Sequence, residues 1–550
     1  MTNLAQDLSK IIKGDVIEDS DTLTQFSHDA SLFEIKPQVV VFPKDEEDVE
    51  ALVSYVAKNK KNNPELSLTG RSAGTDMSGG AIGDSIVVSF MKYFNETPTV
   101  SGNVVTCQSG VYYRDLEVET LKQNLIFPSY PASRELCAMG GIFNNNSGGE
   151  KSLQYGKTEK YVKRVRAVLA DGKAYDIKAL DEKGLKAKIK KGDFEGNIYK
   201  RMFDLVDSNY EILQKAKPDV SKNSAGYYLW NVYDKETKIF DLTKLWVGAQ
   251  GTLGLFLEGN LELVPVHKHR EMLIIFLHDM SHLGQIINEV LELKPESFES
   301  YDDNTLKLAL RYFPEFAKQL GPLGMVEAGL AFFPAFFDLF TGRKLPKLVL
   351  QVDFTSDDVS EVEDKVKKLR EKLKPLHPQT QIAEDSAEKR YWLVRRESFN
   401  LLRKKIRDKH TAPFIDDFDI KPEYISEVIP QVTDILSKHP EFIFTVAGHV
   451  GDGNFHIIPL VDITKPKVRE LIPQIANEVY SIIIKYKGSI TAEHNDGLIR
   501  TPYLKQMYGE KVVNLFSETK DIFDPQGIFN PHKKVDGSLD YAMKHVRVSW

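Results

Sequence analysis

Apolar and polar positions between residues 38 and 90 alternate in a way that predicts β, α, β, turn, β. Gln38-Val39-Val40-Val41-Phe42 is rich in β-branched and aromatic residues and predicts a strand. Pro43-Lys44-Asp45-Glu46-Glu47-Asp48 then opens a helix, with acids in the first turn where the helix dipole favours them. Val49, Leu52, Val53 and Val56 give that helix one apolar face at 3/4 spacing. Leu66-Ser67-Leu68-Thr69 and Ser85-Ile86-Val87-Val88-Ser89 predict two more strands, and 243–247 and 255–264 are β-rich. From about residue 268 the texture changes. Strands at 272–277, 347–353 and 442–446 alternate with charged helices at 360–373 and 425–437, which predicts a separate α+β layer. The stretch 502–530 is mainly helical in pattern. At 550 residues the chain is too long for one core.

Three glycine-dense loops interrupt this pattern. Gly70-Arg71-Ser72-Ala73-Gly74-Thr75-Asp76-Met77-Ser78-Gly79-Gly80 follows the second strand, and its glycines, hydroxyls and single arginine suggest a phosphate cradle. It is not the dinucleotide fingerprint, because no helix pattern follows, and it lacks the Gly-Lys-Ser/Thr of a Walker loop. A tight turn without ligand is the alternative. Cys137-Ala138-Met139-Gly140-Gly141 running on to Ser147-Gly148-Gly149 is the second loop, and Gly248-Ala249-Gln250-Gly251-Thr252-Leu253-Gly254 the third. Three such loops commonly converge on one long phosphate-bearing ligand.

A second constellation lies near the C-terminus. Gly448-His449-Val450-Gly451-Asp452-Gly453-Asn454-Phe455-His456 predicts a hairpin closed on Asp452-Gly453. That closure pairs 451 with 454, 450 with 455 and His449 with His456, placing the imidazoles opposite one another at about 5 Å between Cβ atoms. Two imidazoles so placed can share a divalent metal, and Glu493 of Glu493-His494-Asn495-Asp496-Gly497 would complete a three-ligand site open to substrate. The plainer alternative is two hairpin histidines making hydrogen bonds. The donor set suits Zn²⁺ first, with Mn²⁺ or Fe²⁺ as alternatives.

Bulk properties narrow the field. Hydrophobic content of 42% and charged content of 27% fit an ordinary globular chain, and a net charge of −7 without a dense basic run argues against nucleic acid as a partner. Cys107 and Cys137 are too few for an iron–sulfur cluster or a disulfide framework, which fits a reducing cytoplasm. The first residues have neither a basic n-region nor an apolar h-region. No stretch reaches the roughly 18 apolar residues of a membrane span. Residues 328–337, beside Arg343, Lys344 and Lys347, offer a candidate interfacial contact at the inner face of a membrane, against which Pro334 weakens a long helix.

Together these motifs resemble the vanillyl-alcohol oxidase and p-cresol methylhydroxylase (PCMH) flavoprotein family, and within it the D-2-hydroxyacid dehydrogenases of the D-lactate, glycolate and D-2-hydroxyglutarate types. The resemblance covers about residues 30–265 and 390–535. It implies an α+β fold: a two-part PCMH-type FAD-binding domain (1–267), an α+β, ferredoxin-like cap carrying the metal hairpin (268–490), and a helical segment returning to the FAD domain (491–550). It places FAD against Gly70, Arg71, Ser72, Ala73, Gly74, Thr75, Ser78 and Gly79. Pro131, Gly140, Gly141, Asn146 and Gly148 would line the flavin, with Gly251, Thr252, Gly254 and Asn530 closing the site. Covalent members carry a histidine in the first loop. Thr75 stands in that region here, so non-covalent FAD is expected. Gln250 replaces the family's Glu, and His532 its Gly after Asn530-Pro531. Cys137 is read as a buried thiol rather than a second covalent anchor.

The same resemblance makes His449, His456 and Glu493 the metal ligands, His494 the active-site base, neutral near neutral pH, and Arg395 the grip on a substrate carboxylate, with Arg396 beside it. The expected reaction is metal-assisted oxidation of a D-2-hydroxy acid to the 2-oxo acid by hydride transfer to flavin. Electrons would pass to a quinone or to an electron-transfer protein, such as a separate iron–sulfur protein. The 2-hydroxyglutarate type would carry a basic residue just before Asp416-Asp417. Ile415 stands there, which argues against a dicarboxylate. An FAD oxidase using oxygen and a flavin-binding structural or electron-transfer subunit are the alternatives. Ether-lipid synthases share the fold, but the histidine run they rely on in the tail is missing.

Overall fold

A computed structural model of the chain describes residues 4–311, 345–383, 391–392 and 409–548. Arg395, Arg396 and the 328–337 stretch lie outside the described residues.

The N-terminal sheet has four strands in the order Asp15–Ile17, Val39–Phe42, Ile86–Ser89, Leu68–Arg71, and its last three strands are parallel. The intervening helix Glu46–Asn59 starts at Asp45, whose carboxylate caps Asp48 N, and it buries Val49, Leu52, Val53 and Val56 as their spacing predicts. A five-stranded antiparallel sheet follows, ordered Thr99–Ser101, Val104–Gln108, Leu255–Glu262, Val162–Val168, Ala174–Ile177. Residues 243–247, which read as β-rich, form the short helix Thr243–Trp246 instead. Asp241 accepts from Thr243 N and Oγ1 there, and this local side-chain bond starts a helical turn.

From residue 269 the chain builds the cap. Its first half runs strand His269–Leu277, helix Leu283–Glu292, strand Ser297–Asp302, strand Leu348–Ser356, helix Val359–Leu373, strand Gln379–Ala383. Those four strands stand in the order 4-1-3-2, all antiparallel, which is the split βαβ arrangement of a ferredoxin-like unit. Strands Val446–His449, Asn454–Ile457 and Phe418–Asp419 extend the sheet to seven beyond Ser297–Asp302. One face of it carries the largest core, packed against the helices 283–292, 359–373, 425–437 and 466–485.

The C-terminal segment ties the layers together. Leu515, Phe516 and Phe523 of the helix Leu504–Phe523 enter the core of the five-stranded sheet, and Ile528 and Phe529 enter that of the N-terminal sheet. Leu68 N donates to Ile528 O and Asn530 N to Leu68 O, so the returning chain lies beside the strand that leads into the first glycine loop. No helix among the described residues is long and apolar enough to cross a membrane.

Candidate active site

A cavity of about 730 Å³ runs between the first two sheets and the cap. One end is walled by the glycine loops: Gly70 to Thr75, Pro131, Gly140, Gly141, Gly148, Gly251 and Gly254 all line it. The close approach of the walls explains several glycines. A Cβ on Gly140 would sit 2.4 Å from Ser72 Oγ and 2.8 Å from Ser109 O, so the helix Met139–Asn145 can lie on the first loop only without one. A Cβ on Gly141 would meet nothing within 4 Å, so its face opens into the cavity.

The Arg71 guanidinium does not lie loose in this space. It donates to His28 O and Ala81 O and stacks over the Phe26 ring, buttressing the loop from behind. Five of the expected cofactor residues stand outside the lining. Ser78 bonds Asp76 and Gln250, and Gly79 packs on Phe33 and Leu498. Asn146 ends its helix at a left-handed φ of 50° and bonds Glu159. Thr252 bonds Ala249 O and Tyr227. Asn530 donates to Gly80 O and Gln250 O. Each braces a loop that does line the cavity. Cys137 is buried, and burial pushes its thiol up to about 12.

Where the cavity reaches the cap, the hairpin differs from its expected register. Val446 pairs with Ile457, Ala447 with His456, Gly448 with Phe455 and His449 with Asn454, so His449 and His456 are not opposite. The turn is longer than two residues because Asp452 N and Gly453 N both donate back to His449 O, with Gly453 at φ +86°. The shift is by two positions, and side chains alternate with period two, so both histidines keep the same face as a diagonal pair. Their ring centroids are 5.1 Å apart at 88°.

His449, His456 and Glu493 offer ligand atoms within 4.8 Å of one another. His449 Nδ1 bonds Glu299 Oε1 at 2.6 Å, and its Nε2 lies 3.3 Å from Glu493 Oε1. His456 Nδ1 bonds Asp416 O at 3.0 Å. An imidazole pinned at Nδ1 by a carboxylate or carbonyl is set to coordinate through Nε2, so this donor set fits a divalent cation. A buried ammonium shares the acid: Lys222 Nζ lies 2.5 Å from Glu493 Oε1 and 3.2 Å from Asp452 Oδ2. Burial alone would raise Glu493, but Lys222 and the two histidines outweigh it and hold the carboxylate well below its ordinary range. Asp452, where burial prevails over Lys222, is raised.

His494 stands beside this cluster, its ring stacked on His456 with centroids 5.2 Å apart. Residues 492–494 are bent rather than extended, their amides turned onto Asp417 Oδ2, which lets consecutive Glu493 and His494 both reach the cavity. His494 Nδ1 bonds Asp416 Oδ2 at 2.5 Å, and Asp416 Oδ1 accepts from the buried Arg500 guanidinium. Burial lowers the imidazole pKa, but the charges of Asp417 and Asp416 overcome it and raise it to about 9. The expectation of a neutral His494 is therefore corrected for the metal-free site: near neutral pH the ring is cationic. Sequence reasoning missed Asp416, Arg500, Lys222 and Glu299, whose partners lie far away in the chain.

Asp417 is fully buried and bonded to the backbone of the 491–494 turn. It also forms a second candidate cluster with His456 and His494. Ile415 is buried in the cap core and does not face the cavity. The cap end of the cavity is lined by Thr305, Thr411, Thr445, Ala447 and Ile458.

These layers and loops define a two-domain flavoprotein. Solved structures share its fold: 4-ethylphenol oxidase from Gulosibacter chungangensis (TM-score 0.67, 14% identity, 98% of this chain and 97% of that one) and p-cresol methylhydroxylase (TM-score 0.66, 14% identity, 97% and 96%). Residues 37–178 match the FAD binding domain, and residues 266–534 match the C-terminal domain of the FAD linked oxidases. The chain carries both of these domains of the FAD-linked oxidoreductases. Among relatives, D-2-hydroxyglutarate dehydrogenase of Pseudomonas putida is 25% identical over 95% of this chain and 50% of its own length. Glycolate oxidase subunit GlcD of Bacillus subtilis is 24% identical over 92% and 91%, and D-lactate dehydrogenase of Archaeoglobus fulgidus 24% over 90% and 91%. The chain spans about half the length of the Pseudomonas putida protein and of several further D-2-hydroxyglutarate dehydrogenases.

Proposed function

We propose that this chain is an FAD-linked dehydrogenase that oxidises a small D-2-hydroxy acid to the 2-oxo acid. The observation that carries the reading is convergence: His449, His456, Glu493 and His494 meet at the cap side of the cavity whose other side is made by the FAD-binding loops. The names of the relatives support the substrate class.

Gly70 to Thr75, Gly140, Gly141 and Gly251 would hold non-covalent FAD, which would supply the hydride acceptor. A divalent cation, Zn²⁺ first with Mn²⁺ or Fe²⁺ as alternatives, would supply Lewis acidity and a positive charge that lowers neighbouring pKa values. His449, His456 and Glu493 are the residues to hold it. His494, with Nδ1 fixed on Asp416, presents Nε2 to the hydroxyl proton. Asp416, ion-paired with Arg500, fixes the ring's orientation much as a third group orients a general base elsewhere. Arg395 remains our candidate for the carboxylate grip, and a planar guanidinium suits bidentate pairing.

Among the described residues, the cap end of the cavity carries hydroxyls and small apolar groups and no lysine or arginine. For the division of labour we propose 1–267 as FAD domain, 268–490 as cap and 491–550 as the returning segment. We further propose a quinone or an electron-transfer protein as acceptor, and a cytoplasmic location with peripheral contact at the inner membrane face.

The test is anaerobic visible spectroscopy with glycolate, D- and L-lactate, D-malate and D-2-hydroxyglutarate, before and after chelation. Bleaching of the flavin band by a D-acid, lost with chelator and restored by Zn²⁺ or Mn²⁺, is the expected result. A flavin that binds and never bleaches would favour the subunit reading. Fast reoxidation in air would move the assignment to an oxidase.

A further inference from the structure

Asp416 and Asp417 are neighbours with different partners. Asp417 Oδ2 accepts four hydrogen bonds from one short stretch: Thr491 Oγ1 at 2.7 Å, Ala492 N at 2.8 Å, Glu493 N at 2.8 Å and His494 N at 2.7 Å. Successive amides aimed at a single oxygen require a tight concave turn, the backbone arrangement that binds anions. Asp417 Oδ1 turns the other way and accepts from Asn454 Nδ2 at 3.0 Å. Asn454 is the residue paired with His449 across the hairpin. One carboxylate thus joins the element that carries His449 and His456 to the element that carries Glu493 and His494.

We propose that Asp417 is the positioning residue that assembles the metal centre, holding the 491–494 turn against the hairpin so that Glu493 is presented to His449 and His456. The inference rests on the metal reading above and goes beyond it by naming what sets the site's geometry. Asp417 also belongs to a cluster with His456 and His494 whose ligand atoms lie within 4.8 Å, so it could be taken for a ligand itself. Donor occupancy decides against that. Oδ2 already accepts four hydrogen bonds, Oδ1 accepts one from the Asn454 amide, and the His456 nitrogen facing Oδ1, Nδ1 at 4.0 Å, is itself bonded to Asp416 O.

The role has a specific signature. Loosening Asp417 lets Glu493 swing from the histidines, whereas the glycine loops that face the FAD end are braced by other residues. Metal affinity should fall while FAD affinity holds. The experiment uses the full-length, FAD-loaded protein and two variants, Asp417→Asn and the milder Asn454→Ala. Zn²⁺ and Mn²⁺ dissociation constants come from competition with a chromogenic chelator, and FAD affinity from flavin fluorescence on the same samples. Asp417→Asn should weaken Zn²⁺ binding about 10- to 100-fold, the usual effect of removing an outer-shell partner, with FAD affinity within about twofold. Asn454→Ala should weaken it in the same direction by less. An unchanged Zn²⁺ constant in Asp417→Asn overturns the proposal, as does a parallel fall in FAD affinity, which would mark a general structural role. If Asp417→Asn does not fold, Asn454→Ala decides, and an unchanged metal constant there overturns it. Wild-type protein that takes up neither ion would sink the metal reading together with this one.

Discussion

The charge on His494 can be measured directly. In the metal-depleted protein its pKa stands at about 9 against an ordinary 6.5, because Asp417 and Asp416 outweigh the penalty of burial. A raised folded-state value means that the imidazolium favours the folded state. The difference amounts to ~3 kcal/mol, at about 1.4 kcal/mol per tenfold in proton affinity. That contribution is fully present below pH 6.5, fades as pH rises towards 9 and is gone above it. Asp416→Asn removes the carboxylate bonded to Nδ1 and leaves the Arg500 guanidinium without its partner. Burial and Arg500 then both oppose the imidazolium, and only Asp417 supports it. The midpoint should fall from about 9, and the pH-dependent increment should shrink with it. A separate, pH-independent loss of about 3–5 kcal/mol is expected from the stranded guanidinium. The assay is NMR titration of the histidine Cε1–H signals in chelator-treated protein, His494 being assigned by its absence in His494→Gln, with urea melts at pH 6, 7.5 and 9. A wild-type His494 midpoint at or below 6.5 would refute the electrostatic argument, and so would an unshifted midpoint in Asp416→Asn. Adding Zn²⁺ should move the wild-type midpoint down, by repulsion from the ion beside it.

Other outcomes follow from the same geometry. His449→Ala and Glu493→Gln should each reduce bound metal from one equivalent to near zero by elemental analysis, with flavin content retained. Gly141→Ala adds a Cβ with no protein atom within 4 Å on the face that opens into the cavity, so the melt of the FAD-free protein should not fall while FAD affinity drops about tenfold or more by fluorescence. Gly453→Ala places a Cβ 1.7 Å from Ile420 O at φ +86°, which should destabilise by more than about 3 kcal/mol in urea titration. Lys222→Met leaves Glu493 and Asp452 buried without their ammonium, and a loss of about 3–5 kcal/mol should appear in the same titration.

What the sequence revealed and what it hid divide along a physical line. Elements in 38–90, the strands at 272–277 and 347–353 and the helix at 360–373 were legible because burial on one face imposes periods of two and 3.6 on the side chains; the helix Leu283–Glu292 and the strands Ser297–Asp302 and Gln379–Ala383 were not read. The α+β cap was legible through the same alternation. Residues 243–247 misled because their apolar run suits either structure, and the Asp241–Thr243 bonds that decide it are a local detail weaker than the hydrophobic pattern. The glycine loops stood out because close approach excludes a side chain at positions such as Gly140, though composition did not separate residues that face the cavity, such as Gly141, from residues that brace its walls, such as Asn530.

The hairpin shows how a wrong register can leave two histidines side by side. The turn was misjudged, since Asp452-Gly453 is a strong two-residue signal and the two amides returning to His449 O are visible only in the fold. Yet an error of two in register cannot move a side chain to the other face, so the pairing of His449 with His456 survived as a diagonal contact. The charges around that pair had no such protection. Lys222 lies 271 residues from Glu493, Asp417 lies 76 from it, and Arg500 reaches Asp416 across 84. Nothing periodic links such positions, because the only requirement is that buried ions find opposite charge or hydrogen bonds, and any element passing nearby can supply one. That is why the chemical groups were readable as isolated histidines and acids, while the properties that tune them, the raised proton affinity of His494 and the hold on Glu493, emerge only where distant parts of the chain meet.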